Sequence, residues 1–517
     1  MKIAARLPGM LALALVLALA LGSLAAVLAS SEGLGRITPA DWAALRFTLL
    51  QALLSAILST LLAVPVARAF ARRRFAGRGL MIAALGAPFI LPVIVAVMGL
   101  LSIFGRAGAL NGALDAAGLP KFDIYGLQGI LIAHLFLNLP LAVRMILNGW
   151  AAIPPERFRL AASLDLGPRD LWRLIEVPML RATLPGAALA IFLVCLTSFT
   201  VVLMMGGGPA ATTLELAIFQ AFRMEFDLGH AATLAALQMA LSLAVALISL
   251  MAFSPTAFGA GTGRAADAPP HTGKLALWLD RFWLCACGLF LALPLLTVLV
   301  AGLPFLSGLG ASLWMAAGRS VLVALAATVL ALALSLSIAL LVTGLPRAAG
   351  RTVDGLAMLA LTTSPLVLGT GLFLILRPHL DPVAFALPIA ALVNATMAMP
   401  FCLRILLPEL TTLRTDYGRL SESLGLHGLT VLRLVILPRL RRPLAFAGGL
   451  SAALAAGDLG AVALFADPQY PTLPMQVYAL AGAYRSNDAS GAAILLMGLS
   501  FFLFRAIDQM GHRDADA

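Results

Sequence analysis

Twelve long runs, each nearly free of charge and rich in Ala, Leu and Val, divide this chain of 517 residues. They fall at approximately 7–29, 44–67, 80–104, 126–149, 186–205 and 230–253, then at 281–303, 320–343, 355–376, 384–407, 444–466 and 490–508. A helix needs roughly 20 apolar residues to cross the hydrocarbon of a bilayer, and the weak period-two alternation argues against a barrel. The expected fold is therefore all-α: a polytopic membrane protein of about 12 transmembrane helices. Composition excludes the soluble alternative, because 61% hydrophobic against 11% charged residues leaves too little polar surface to cover a globular domain.

The charges that remain orient the chain. Lys2 and Arg6 precede the run from Leu7 to Ala29, whose small residues near Ala25 to Ser31 resemble a signal-peptide exit. Its length favours an uncleaved first span with the N-terminus in the cytoplasm. Arg68, Arg72, Arg73, Arg74 and Arg78 lie between the second and third runs, and positive charge marks the cytoplasmic side. Arg347 and Arg351 hold the corresponding place later in the chain, and the alternation then leaves the C-terminus inside. Stretches 105–125 and 206–229 mix acids, bases, Gly and Pro and are expected to face outward. The net charge of +11 is spread over the ends of apolar runs instead of one face or arm, so it speaks for orientation and against a nucleic-acid partner. Cys195, Cys285, Cys287 and Cys402 all sit in apolar runs and read as small buried hydrophobes, with neither metal nor disulfide expected.

The halves repeat. Ser254 to Thr272 turns to Gly, Ala, Pro and polar residues, a linker by composition. The division expected is a first six-span repeat over 1–253, a cytoplasmic linker over 254–276 and a second six-span repeat over 277–517. Arg159 to Pro178 recurs 260 positions on as Arg419 to Pro438, with Arg159, Leu160, Ser163, Leu164, Leu166, Arg173, Leu174 and Pro178 all matched. Pro140 and Arg144 match Pro400 and Arg404 at the same offset, and Gly77, Arg78 and Pro92 match Gly350, Arg351 and Pro365 at 273. Both copies lie between the fourth and fifth runs of their half, so the halves run parallel and form a built-in pseudodimer.

Within the first copy, Leu160, Leu164, Leu171, Leu174 and Ile175 recur at three- and four-residue steps, which predicts one apolar face on a short helix. Arg159, Arg169, Asp170, Arg173 and Glu176 occupy the rest. Such a helix suits a knob pressed into a groove on another protein, and an arginine-rich helix also suits lipid headgroups. Duplication favours the first reading. The pattern resembles the cytoplasmic loop of ABC importer permeases, E-A-A, three residues, G, then a hydrophobic stretch ending in L-P. Here Arg159 and Arg419 replace the Glu, and Asp165 replaces the Gly that the second copy keeps as Gly425. The resemblance implies that Arg159, Leu160, Leu164, Asp165, Leu171, Arg173, Leu174 and Pro178, with Arg419, Leu420, Leu424, Gly425, Leu432, Arg433, Leu434 and Pro438, dock two copies of a cytoplasmic ATPase.

The chain itself carries no phosphate-binding loop. Of its three lysines only Lys274 follows a Gly; Leu275 comes next, and Ala268 stands where the first Gly of G-x-x-x-x-G-K-[ST] belongs. Nucleophile elbow, zinc-protease signature and paired catalytic carboxylates are likewise missing. No catalytic residue, bound cofactor or metal is expected; ATP and Mg belong to the partner ATPase.

Asp458, inside the eleventh run, is the most informative side chain, because a carboxylate at that depth is costly. Either it attracts a cationic cargo, or it caps a helix broken at Gly457 and Gly460. Ser198 is its match at offset 260, and both are candidates for the substrate path. His134, which matches Asn394, reads as an interhelical hydrogen-bonding residue. Gly206-Gly207-Gly208-Pro209 reads as a turn at the outer mouth, and Ala210 to Phe222, with Glu215 and Gln220, as an amphipathic lining of the outer vestibule or a contact for a delivering protein.

The segment G-G-G-P-A-A-T-T-L-E-L-A-I-F-Q-A-F, with G-D-L-G-A-V-A-L-F, T-L-P and A-Y-R-S-N-D in the second half, resembles the fused permeases of bacterial thiamine ABC transporters across most of the chain. That resemblance implies an inner-membrane transport subunit that works with a periplasmic binding protein delivering thiamine or its phosphates. Ferric iron permeases share the tandem architecture and are the alternative. An ion-coupled secondary transporter also uses internal repeats but needs no paired docking loops.

Overall fold

The computed structural model describes residues 6–30, 37–252, 273–465 and 469–512. The linker from Ser254 to Thr272 lies outside these residues. Among them every regular element is helical, and nine helices are long and apolar enough to cross a membrane. These nine correspond to the second to eighth, tenth and twelfth expected runs; the first run is helical over Leu7–Ser30.

Several runs expected to be continuous are broken, and the sequence shows why. Residues 80–104 form three helices, Arg78–Ala84, Ala87–Ile90 and Val93–Phe104, because Pro88 and Pro92 each lack the N–H that would continue a helix. Residues 355–376 split before Pro365, where Ser364 caps the new helix by accepting from the Val367 amide at 3.0 Å. The fifth run stops at Leu196 and restarts at Thr200, and the eleventh stops at Gly457 and restarts at Gly460.

Other helices run past the bilayer. Pro39–Arg72 opens on a reciprocal cap: the Asp41 carboxylate accepts from the Thr38 amide at 2.7 Å, and the Thr38 hydroxyl accepts from the Asp41 amide at 3.3 Å. Ala386–Ser423 has 38 residues, about 57 Å at 1.5 Å per residue against a hydrocarbon thickness near 30 Å. Its C-terminal part therefore stands outside the membrane and leads into the second copy of the duplicated loop. In the first half Pro154 and Pro155 interrupt the equivalent path, giving Leu127–Ala151 followed by a separate helix Pro155–Ser163.

The main apolar core lies where the two halves meet and includes Leu100, Phe136, Phe199 and Phe219 with Val367, Leu464 and Phe465. Phe222 meets Phe373 edge to face at 4.8 Å across that boundary. A second cluster around Phe70, Val143 and Trp150 belongs mostly to the first half, and a third around Ile338, Met399 and Leu440 to the second.

Each half sends its first helix across to the other. Leu7–Ser30 packs on helices Ala311–Gly344 and Pro365–Leu376, while Lys274–Gly302 packs on Val93–Phe104. The first span is thus integral to the bundle, with Val16 and Ala20 buried. Both crossings use a glycine as the point of closest approach. A β-carbon on Gly371 would collide with Ser23, and one on Gly99 with the Pro294 carbonyl. Beside the second crossing, Arg73 Nε donates to Asp280 at 2.7 Å and ties the crossing helix to the C-terminal end of Pro39–Arg72.

Gly99→Val and Gly371→Val are each expected to destabilise the purified protein by about 1–3 kcal/mol through overpacking. Gly22→Ala, on the crossing helix Leu7–Ser30 with open space around it, serves as the control. Thermal unfolding in detergent checks this, and equal midpoints for all three variants would mean that the crossings adapt freely.

Candidate functional site

The two copies of the duplicated loop share one local structure. In each, a helix ends at a residue in the left-handed region, Asp165 at φ 47° and Gly425 at φ 65°. The Leu166 amide then donates back to the Ala161 carbonyl at 3.0 Å, and the Leu426 amide to Ser421 at 2.9 Å. Asp165 and Gly425 donate to Ala162 and Glu422 at 3.2 and 3.0 Å, which completes the paired closing bonds of a Schellman cap. The left-handed backbone is why Gly suits this position. Asp is among the residues that tolerate that backbone, so the first copy keeps the turn.

That turn overturns the expectation of one continuous apolar face. Leu160 and Leu164 lie before or at the turn and Leu171, Leu174 and Ile175 beyond it, so their three- and four-residue spacing does not place them together. Leu160, Leu164 and Leu174 are exposed at 60%, 62% and 60%, whereas Leu171 and Ile175 are buried. Leu420, Leu424 and Leu434, their matches, are exposed at 53%, 63% and 63%. Arg159, Asp165, Arg173 and Pro178 are exposed in one loop, as are Arg419, Gly425, Arg433 and Pro438 in the other, and Leu432 is half-buried. Each loop thus presents three matched exposed leucines, and the second exposes Leu429 and Leu437 as well.

Past the turn both copies unwind slightly at the same place. Trp172–Glu176 and Leu432–Ile436 are π-helical turns 260 positions apart, each leading into a long helix, Val177–Leu196 and Leu437–Gly457. Such bulges are rare and cluster at functional sites. Their anchors differ. In the first copy the buried Glu176 carboxylate accepts from Arg68 Nε at 2.8 Å and from Arg72, and the Arg68 guanidinium lies 4.4 Å from the centre of the Trp172 ring. Ile436 fills the matching position with a buried apolar side chain, and Arg439 instead stacks on Tyr417 at 3.8 Å. Glu176 therefore belongs to an anchor, in contrast to its expected place on an exposed polar face.

The broken helices lie at the boundary between the halves. Asp458 ends one helix and caps the next: its carboxylate accepts from the Gly460 amide at 3.3 Å and the Ala461 amide at 2.9 Å. A carboxylate offers about four lone-pair sites, so two bonds to amides leave it capacity for a ligand. Asp458 also lines a cavity of about 200 Å³ with Phe89, Pro92, Asn394, Phe401 and Thr200. Residues of both halves thus share one chamber. Gly457 is pressed on Pro92, where a β-carbon would come within 2.8 Å of the ring.

Ser198 does not line that cavity. Its hydroxyl lies 2.8 Å from His134 Nε2, and His134 Nδ1 lies 2.9 Å from Ser55 Oγ, so one imidazole joins two helices to the break between Leu196 and Thr200. This is the interhelical role expected of His134. The carbonyls freed by the first-half break are met by Gln51, which donates to Cys195 O at 2.9 Å, and Gln238, which donates to Leu196 O at 3.1 Å. Gly207 and Gly208 adopt positive φ in a tight turn against Tyr125.

Two further expectations are corrected. Glu215 lies in the core, fully buried, and Leu214, Leu216, Ile218 and Phe219 are buried with it, so this stretch packs inside instead of lining a vestibule. Its helix begins where the Leu214 amide donates to Thr48 Oγ1 at 2.9 Å, and the hydroxyl of Thr48 belongs to a neighbouring span. Cys195, Cys287 and Cys402 are buried as expected, but Cys285 is exposed on the outer face of its helix.

A helical bundle with duplicated, leucine-bearing loops and a shared central chamber is the architecture of a polytopic transport permease. No family profile matches the chain. It is 40% identical over 518 residues to the thiamine transport system permease protein ThiP of Brucella abortus strain 2308, covering 97% of this chain and 94% of that protein. Identity to the proteins of the same name is 38% over 522 residues in Salmonella typhimurium strain LT2, covering 98% and 97%. In Escherichia coli K12 it is 38% over 482 residues, covering 92% and 90%. The molybdenum transport system permease protein ModB of Azotobacter vinelandii is 31% identical over 178 residues, 34% of this chain and 78% of that protein. The chain belongs to the family of ThiP thiamine transport permeases.

Glu176→Ala leaves Arg72 buried without its carboxylate, and is expected to cost about 3–5 kcal/mol. Ile436→Val at the matching position is expected to cost about 0.5–1.5 kcal/mol. Unfolding midpoints of the purified variants check the difference; equal losses would show that the ion pair adds nothing beyond filled space.

Proposed function

We propose that this chain is the permease of an ATP-binding-cassette importer in the bacterial inner membrane, moving thiamine and its phosphates from periplasm to cytoplasm by alternating access. Family membership at this identity over nearly the whole chain supports the class and the cargo. The observation that carries the mechanism is the pair of exposed leucine triads, Leu160, Leu164 and Leu174 with Leu420, Leu424 and Leu434. Apolar side chains held in water on two matched turns invite a covering partner. Each loop docks one subunit of a separate ATPase, which hydrolyses the ATP; a periplasmic binding protein supplies the cargo.

Closure of the ATPase pair draws the loops together. Each π turn leads directly into a long helix, so a push at the loop tilts Val177–Leu196 and Leu437–Gly457. In the first copy Glu176 passes the same motion to Pro39–Arg72 through Arg68 and Arg72. Both tilted helices end at the breaks beside the cavity, which exchanges access from one side to the other. At about 200 Å³ the cavity falls below the roughly 300–1,000 Å³ of small-molecule pockets, consistent with a site that must widen to admit cargo. Asp458 stays in place as helix cap while its free lone pairs face the cavity, where a low-dielectric carboxylate favours the fixed positive charge of thiamine.

ATP hydrolysis by the purified permease–ATPase complex in lipid, with binding protein empty, thiamine-loaded or iron-loaded, tests the assignment. Stimulation by the thiamine-loaded protein alone is expected; stimulation by iron would transfer the chain to the ferric class. Leu164→Asp and Leu424→Asp are each expected to lower coupled hydrolysis at least tenfold with the permease still folded. Normal copurification of the ATPase with the double variant would remove the docking role.

A further inference from the structure

The positions matched at offset 260 around the two breaks carry unlike chemistry. In the first half His134 and Ser198 bond to each other, and Ser55 takes the other ring nitrogen, so the group is closed on itself. In the second half the matching residues are Asn394 and Asp458. Both line the cavity, yet Asn394 Nδ2 has no hydrogen-bond partner although the residue is only 5% exposed. A buried amide donor left unpaired costs stability that an apolar residue of the same shape would not. Around the two polar residues the lining is largely apolar, with Phe89 of the first half and Phe401 and Met397 of the second.

We infer that Asn394 is the specificity-determining hydrogen-bond donor of the cargo site, paired with Asp458, and that its ligand is a flat heteroaromatic cation bearing an acceptor nitrogen on a ring. The inference rests on the reading of Asp458 as a cargo residue. It assigns recognition to the second half alone, and the His134–Ser198 pair to structure. The carboxylate takes the cation, the phenyl rings take the faces of the heterocycles, and the amide takes the ring acceptor. In thiamine the thiazolium carries the charge and the aminopyrimidine carries the acceptors, so the two polar residues read its two rings separately.

The test uses the detergent-purified permease–ATPase complex without binding protein, with equilibrium binding of radiolabelled thiamine and of an N-methylthiazolium that keeps the charge and lacks the pyrimidine. Asn394→Leu, isosteric and apolar, is expected to weaken thiamine binding about tenfold, leave N-methylthiazolium binding unchanged, and raise the unfolding midpoint without ligand. Asn394→Gln, which keeps the donor, should recover part of the thiamine affinity. Asp458→Asn should weaken both probes alike. If Asn394→Leu changes both probes equally or neither while Asp458→Asn still weakens both, the site stands and the role of Asn394 is wrong. If Asp458→Asn weakens neither, the cargo site lies elsewhere and this inference falls with it. A lowered midpoint for Asn394→Leu with unchanged selectivity would make Asn394 a structural residue.

Discussion

Every backbone N–H and C=O inside the hydrocarbon must find a partner within the protein, and this bundle breaks four of its helical runs at membrane depth. What satisfies the freed groups at two of those breaks decides much else. At the second-half break one charged side chain, Asp458, accepts from two amides. At the first-half break two neutral amides, Gln51 and Gln238, reach in from neighbouring helices to the carbonyls of Cys195 and Leu196. The second solution spreads the restraint over three helices and leaves no charge; the first concentrates it on one residue and leaves a carboxylate beside an open chamber. Fused halves are free to diverge in this way because each position is encoded once per chain, unlike those of a homodimer.

The same divergence runs through the two duplicated loops. Both loops keep the Schellman turn, the exposed leucines and the π turn, which are the features a repeated partner would touch. What lies behind them differs: a buried ion pair to the end of Pro39–Arg72 in one copy, an apolar side chain and an arginine stacked on tyrosine in the other. Breaking a buried pair costs far more than trimming a methyl group. The first loop is therefore bound more stiffly to its bundle, and a force applied equally to both loops need not move both halves equally.

The fold was largely legible, since charge-poor runs and arginine placement locate the helices, and the constant offset of 260 finds both loops without any structure. The site was legible only in part. Periodicity grouped Leu160 with Leu171 because it assumes an unbroken helix, and the left-handed turn at Asp165 carries no strong sequence signal where Asp replaces Gly. Glu215 lies among apolar residues in a stretch that alternates like a surface helix; its burial depends on Pro39–Arg72, Leu228–Ala252 and Pro365–Leu376 packing around it, which no local pattern encodes. Cys285 sits on the outer face of the bundle, where apolar composition alone cannot tell a lipid-facing side from a core-facing one. Pro88, Pro92 and Pro365 did mark the helix breaks, and the length of the apolar runs masked them.

Asn394 illustrates the limit from the other side. Its match His134 is a titratable group in the middle of its apolar run, yet in the structure the imidazole is the satisfied member of the pair. The amide is the residue left with a bond unmade. Matching positions in a repeat are thus most informative where their chemistry differs: a closed polar group in one copy shows what the fold needs there, and the open group in the other shows what the fold does not need. Stability alone would favour an apolar residue of the same shape at Asn394, so the unpaired amide beside Asp458 points outward, to a ligand that supplies the missing partner.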